Sequence, residues 1–151
     1  MSALAPTDVK ILRELSRDAR ISNVALAERV GLSPSACLRR VQELERTGII
    51  RGYRVVIDRH RTGRGFAAYV MVGLSSHTKT AQEKFERAMA IAPEVVECHN
   101  IAGAFEYLLR VESADLADYK RFHTEVLGTQ THVNAITSYI VMETSKDDHR
   151  G

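Results

Sequence analysis

In the N-terminal third of the chain the apolar positions recur at three- and four-residue intervals, the period of a helix that buries one face. Ile11, Leu12 and Leu15 form such a face behind an N-cap candidate at Thr7, and Arg17-Asp18-Ala19-Arg20 closes it. Ser22 caps a second helix carrying Val24, Leu26, Ala27 and Val30. Gly31 then suits a left-handed helix end, and Leu32-Ser33-Pro34 supply an apolar residue, an N-cap and a proline for the first helical position. The third helix runs from there to about Thr47, where Gly48 stops it. Two helices joined by so tight a turn, with small Ala27 at their approach and Val30, Leu32, Cys37 and Val41 as a wedge, read as a helix-turn-helix.

Beyond Gly48 the pattern changes. Tyr53-Arg54-Val55-Val56-Ile57 predicts a short strand, and Arg59 to Gly65, basic and glycine-bearing with no apolar period, predicts a linker. Phe66–Leu74 is apolar on both faces and predicts a central strand. An amphipathic helix follows over 80–92, with Ala81, Phe85, Ala88 and Met89 inward, ended by Pro93. Strands are predicted over 95–101, 105–111 and 133–144, and a helix over 115–127 with Leu116, Tyr119, Phe122, Val126 and Leu127 on one face. The order β-α-β-β-α-β is that of a split, ferredoxin-like sheet. The fold class is therefore α+β. A winged helix-turn-helix spans residues 1–52, a strand and linker 53–65, and a ferredoxin-like domain 66–151. Helices cover one face of such a sheet. The other face, to which Leu108, Ile136, Ile140 and Met142 are assigned, needs a partner, and pairing with a second copy is the simple solution.

The 151 residues carry 21 Lys+Arg and 19 Asp+Glu, a net +2 that hides an uneven distribution. Residues 1–65 hold 13 basic side chains, all but Lys10 arginine, against 7 acidic ones, a net +6. Residues 66–151 hold 8 against 12, a net −4. Only the first half is built to meet a polyanion. On the third helix, Cys37, Leu38, Val41 and Leu44 cluster on one side. The opposite side presents Ser35, Ala36, Arg39, Glu43 and Arg46, flanked by Arg40. Arginine suits bidentate contact with guanine edges or phosphates, and the small residues allow close approach to the major groove. Arg51 and Gly52-Tyr53-Arg54 are placed to lie along the DNA backbone as a small wing.

Other chemistry finds little purchase. Cys37 and Cys98 are too few and too scattered for a disulfide scaffold or a zinc knuckle. Cys98 and His99 point to opposite faces of their strand, so no metal is expected. No stretch is long and apolar enough for a membrane helix, and Met1 to Pro6 lacks the regions of a signal peptide, so a cytoplasmic home is expected. No nucleophilic triad or paired-carboxylate arrangement supports an enzyme. Two other classes are weighed against a regulator: a small ferredoxin-like enzyme, and an architectural DNA-bridging protein without effector control.

Both halves together resemble the Lrp/AsnC family of transcription regulators, also called feast/famine regulators. The resemblance is carried by Ile21-Ser22-Asn23-Val24, Leu26 to Pro34, Cys37-Leu38-Arg39-Arg40-Val41, Leu44-Glu45, Gly48 to Tyr53, Glu97-Cys98-His99, Gly103 to Leu109 and Thr137 to Met142. It implies a DNA-binding head, an ACT-like ligand-sensing and oligomerisation domain, and dimers that assemble into larger rings, commonly octamers, on double-stranded DNA. It also implies an amino-acid effector bound between subunits near the turn joining the middle strands, with no other cofactor. Carried onto this chain, the DNA-contacting set is Ser22, Asn23, Ser33, Pro34, Ser35, Ala36, Arg39, Arg40, Glu43, Arg46, Arg51 and Tyr53. The effector set is His99, Ile101, Gly103, Ala104, Glu106, Tyr107, Thr137 and Ser138. Leucine-responsive members read Gly-Asp-Phe/Tyr-Asp-Tyr at the turn, where this chain has Gly103-Ala104-Phe105-Glu106-Tyr107. Pairing with an effector's ammonium group then falls to Glu106 or is absent.

Overall fold

The computed structural model describes residues 4–146. The chain forms two compact units and passes from the first to the second between Val56 and Ile57. The first unit holds α1 (Pro6–Arg17), α2 (Asn23–Val30) and α3 (Pro34–Arg46). Pro6 opens α1 and Ala5 is its N-cap, so the helix starts ahead of Thr7. A proline at this place loses only an N–H that the first turn leaves unpaired anyway. Ser22 and Ser33 cap α2 and α3, their hydroxyls accepting from the N–H of Ala25 and Ala36. Gly31 ends α2 at φ +72°, with Gly31 N–H on Glu28 O and Leu32 N–H on Ala27 O, the paired bonds of a Schellman turn. The core is Ile11, Leu26, Ala27, Val30, Cys37 and Leu44, with Val41 packed at its edge. Leu38, assigned to this side of α3, is 47% exposed and is not part of the core.

Tyr53–Ile57 form no strand. Val55, Val56 and Ile57 have the β-branched character of one, but among the described residues they pair with no strand. The expected linker is likewise a hydrogen-bonded turn. Asp58 accepts from Arg61 and Thr62, Arg64 N–H reaches Arg59 O, and Gly63 adopts φ +73°. Arg59 and Arg64 anchor this turn to the second unit, Arg59 on the Glu112 carboxylate at 3.0 Å and Arg64 on the Pro93 carbonyl.

The second unit is a four-stranded antiparallel sheet of β1 (Phe66–Leu74), β2 (Val95–Asn100), β3 (Tyr107–Ser113) and β4 (Val133–Ile140), in the order β2-β3-β1-β4. Two helical segments complete it, α4 (Lys79–Ile91) and α5 (Leu116–Arg121), the latter continuing as a π-helical turn over Phe122–Leu127. Ala68, Val70, Val72, Tyr107, Leu109 and Val111 pack with Phe85, Met89, Tyr119, Phe122 and Leu127 in one core. Each large side chain so buried contributes about 1.5–3 kcal/mol. Leu116, expected on the inner face of its helix, is 58% exposed.

Register decides which residues the open face carries. Ile140 lies opposite Ala68 and Ile136 opposite Val72, so both sit on the helix-covered face rather than the open one. Met142 lies past the end of β4 and is 99% exposed. Leu108 is on the open face as expected, in a row that reads His99, Leu108, Met71, Thr137 across the sheet. The next row reads Glu97, Arg110, Tyr69, Tyr139. Glu112, on the same face, is only 1% exposed, its carboxylate held by Arg110 at 2.8 Å and Arg59 at 3.0 Å.

Candidate functional site: nucleic-acid face and effector turn

The exposed side of α3 carries Ser35, Arg39, Gln42, Glu43 and Arg46. Ser35, Arg39, Gln42 and Arg46 recur at intervals of four, three and four, which places them along one stripe. Gln42 was missed by the sequence reading. The signal for it was the same helical spacing, and glutamine is a side chain able to meet adenine with two hydrogen bonds. Ala36, assigned to this face, is half-buried beside Ser33.

The basic residues of this face are in different states. Arg39 has no carboxylate partner among the described residues. Arg46 is held by Glu43 through two bonds, of 2.8 and 2.6 Å, and this pairing lowers the Glu43 carboxyl below its ordinary range. Arg46 Nη1 takes no part in the pair and, among the described residues, keeps free N–H donors on an exposed side chain. Arg40 Nε lies 2.9 Å from Asp8 Oδ1, joining α3 to α1. The Asn23 amide donates to Pro34 O at 2.8 Å and ties the start of α2 to the start of α3. Ser22, Ser33 and Pro34 set the helix ends. Arg51 is exposed, and the Tyr53 hydroxyl donates to Glu45 at 2.8 Å; burial, with that bond second, raises its pKa.

The eight effector candidates do not converge within one chain. His99 and Thr137 share the open face but lie on β2 and β4, the two edge strands. Two strands stand between them, a span of about 14 Å. A molecule the size of an amino acid does not touch both within one chain. Tyr107 and Ser138 lie on the helix-covered face. Tyr107 is fully buried and its hydroxyl donates to Glu86 at 2.7 Å, while Ser138 pairs with the Tyr119 hydroxyl. A groove of about 370 Å³ lies on that side, lined by Tyr107, Glu86, Met89, Val95, Cys98 and Asn100 among others. Burial, with Glu86 a smaller cause, pushes the Cys98 thiol up to about 11, so it is not a ready nucleophile.

Residues 101–106 form a turn closed by Ile101 N–H on Glu106 O at 2.9 Å. Ala102, Gly103 and Ala104 are exposed at its tip. The Glu106 carboxylate turns inward, accepting from Leu74 N–H at 2.6 Å and lying 3.3 Å from His77 Nδ1. Among the described residues no group of His, Cys, Asp and Glu is arranged to hold a metal ion, and no helix is long and apolar enough to cross a membrane.

Two family models match the chain: winged helix-turn-helix DNA-binding over residues 4–51, and the Lrp/AsnC ligand binding domain over residues 67–150. The leucine-responsive regulatory protein of Escherichia coli is 39% identical over 143 residues, which cover 95% of this chain and 87% of that protein. Among solved structures, a Neisseria meningitidis transcriptional regulator in complex with L-Met superposes with a TM-score of 0.91 at 34% identity, covering 96% of this chain and 94% of that one. An AsnC family transcriptional regulator from Agrobacterium tumefaciens gives 0.90 at 31% identity, covering 95% and 94%.

Proposed function

The chain belongs to the Lrp/AsnC family of transcriptional regulators, and on that premise we propose that it is a cytoplasmic, sequence-specific regulator whose grip on DNA responds to an amino acid. Residues 1–52 read the operator. Residues 66–151 bind the effector and assemble the chain into dimers and larger rings, with an octamer as the working size. It performs no catalysis. The observation that carries the reading is the α3 stripe of Ser35, Arg39, Gln42 and Arg46, exposed on a capped helix of the arginine-rich unit.

The effector is an amino acid bound at the 101–106 turn, completed by a neighbouring copy. The separation of His99 from Thr137 supports a shared site. So does the related Neisseria regulator, a structure of which contains L-Met. Calorimetry of the full chain against each of the twenty L-amino acids tests this, with saturable heat expected from at least one. The architectural reading has one observation in its favour: Ala104 offers the turn no carboxylate, and Glu106 faces inward. It takes precedence if none of the twenty binds at millimolar concentration.

A further inference from the structure

We propose that Glu106 is a positioning residue, which holds the effector turn to the end of β1 and is not the group that receives the effector's ammonium. The inference rests on the reading of residues 101–106 as the effector turn and deepens it. β1 pairs with β4 without interruption from Ala68 to Gly73, then slips so that Leu74 faces Val133. The ladder of β1 with β3 ends where Val72 faces Tyr107, so Leu74 lies past its last paired residue, and a buried N–H left unmet there costs about 1–3 kcal/mol. Leu74 is only 4% exposed, and its N–H is taken by Glu106 Oε2 at 2.6 Å. Such charge-assisted bonds are about twice as strong as neutral ones.

The surroundings favour this contact. A Cβ on Gly73 would stand 3.1 Å from both Ala135 Cβ and Asn134 Oδ1, and 3.7 Å from Glu106 Oε2, so glycine lets the three approach. Glu106 N–H donates to Val72 O at 3.1 Å, and Glu106 O accepts from Ile101. The residue thus fixes the turn by side chain and main chain together. Its remaining oxygen faces His77. An aspartate would fall one C–C bond short, about 1.5 Å, and could reach Leu74 only if the turn moved.

The test uses the full chain and its Glu106→Gln, Glu106→Ala and Glu106→Asp variants. Leu74 amide exchange is read by NMR, and binding by calorimetry with each of the twenty L-amino acids in turn. Glutamine keeps an oxygen for the Leu74 N–H, so E106Q should hold both exchange rate and affinity within about threefold of the parent. E106A should speed Leu74 exchange and weaken binding, each by about tenfold or more, the equivalent of one lost bond. E106D, which keeps the charge, should shift both in the same direction as E106A. The proposal is overturned if Leu74 exchange is unmoved in E106A. It is also overturned if E106Q loses binding as fully as E106A while Leu74 stays protected, since the charge would then be the ligand's partner. If no amino acid binds the parent chain, the effector reading fails, and the exchange measurement still decides the role of Glu106. Should E106A not fold, E106Q and E106D decide the matter between them.

Discussion

Arg39 and Arg40 are neighbours in sequence with different work to do, and replacing each by alanine separates reading DNA from holding the head together. Arg39 is exposed with no carboxylate partner among the described residues, so its removal should change stability by less than about 0.5 kcal/mol. If its guanidinium reads a base, the loss in operator binding is about 1–3 kcal/mol, a factor of about 5 to 150 in Kd. Arg40 is tied to Asp8 at 2.9 Å, with side chains 39% and 16% exposed. Solvent screens a pair this open, and its loss should lower stability by about 0.5–1 kcal/mol. Fluorescence anisotropy on operator and scrambled duplexes at several salt concentrations distinguishes the outcomes. If Arg39 bonds to a base edge, Arg39→Ala lowers the operator-to-scrambled ratio. If it bonds to a phosphate, the ratio stays unchanged and the salt slope falls by about 1. An Arg39→Ala variant with unchanged ratio, affinity and slope refutes the assignment of α3 as the reading helix.

Three further outcomes follow from the geometry. Ser33→Ala removes the cap of α3 and should cost about 1 kcal/mol, seen as a lowered Tm, with operator binding weakened alongside. A fragment beginning at Ile57 should be more stable to urea than one beginning at Phe66, by about 1–3 kcal/mol. The shorter one strips Arg59 from the buried Glu112 carboxylate; both should be oligomeric by light scattering. The Tyr107 hydroxyl is pushed up to about 12, by burial first and by its bond to Glu86 second. Its folded pKa lies above the unfolded value of about 10, so its contribution is complete below about pH 10 and is lost as pH climbs toward about 12. Urea midpoints across that range should fall less steeply in Tyr107→Phe.

The helix ends were legible because each has a local cause. Ser22, Gly31, Ser33, Pro34 and Gly48 act within a few residues of themselves, and the α2–α3 turn follows from them. The strand order was legible as a succession of periods. The open face was misread because alternation along β4 defines two faces without saying which one joins β1's inner face. The pairing of Ala68 with Ile140 settles that parity and puts Ile136 and Ile140 on the helix-covered face, Ile136 packed against the core and Ile140 still half-exposed. The run Val55-Val56-Ile57 has strand propensity, yet a strand exists only against another edge. As candidates for DNA contact, Arg40 and Tyr53 stand level in sequence with Arg39 and Arg51, since Asp8 and Glu45 become their partners only once the chain has folded. Glu106 was recognised as an acidic residue at the turn. That it reaches back to Leu74 depends on the β1–β3 ladder stopping at Val72 opposite Tyr107, which no local signal announces.

The central claim is that DNA reading and amino-acid sensing are coupled in this chain. It is tested most directly by titrating the full-length protein onto operator DNA selected from a random pool, alone and with each L-amino acid at millimolar concentration. The account predicts selected-over-random discrimination of at least about a thousandfold and a shift in operator affinity of about fivefold or more with at least one amino acid. Equal affinity for all duplexes, unmoved by every amino acid, would contradict it and leave a DNA-bridging protein in its place.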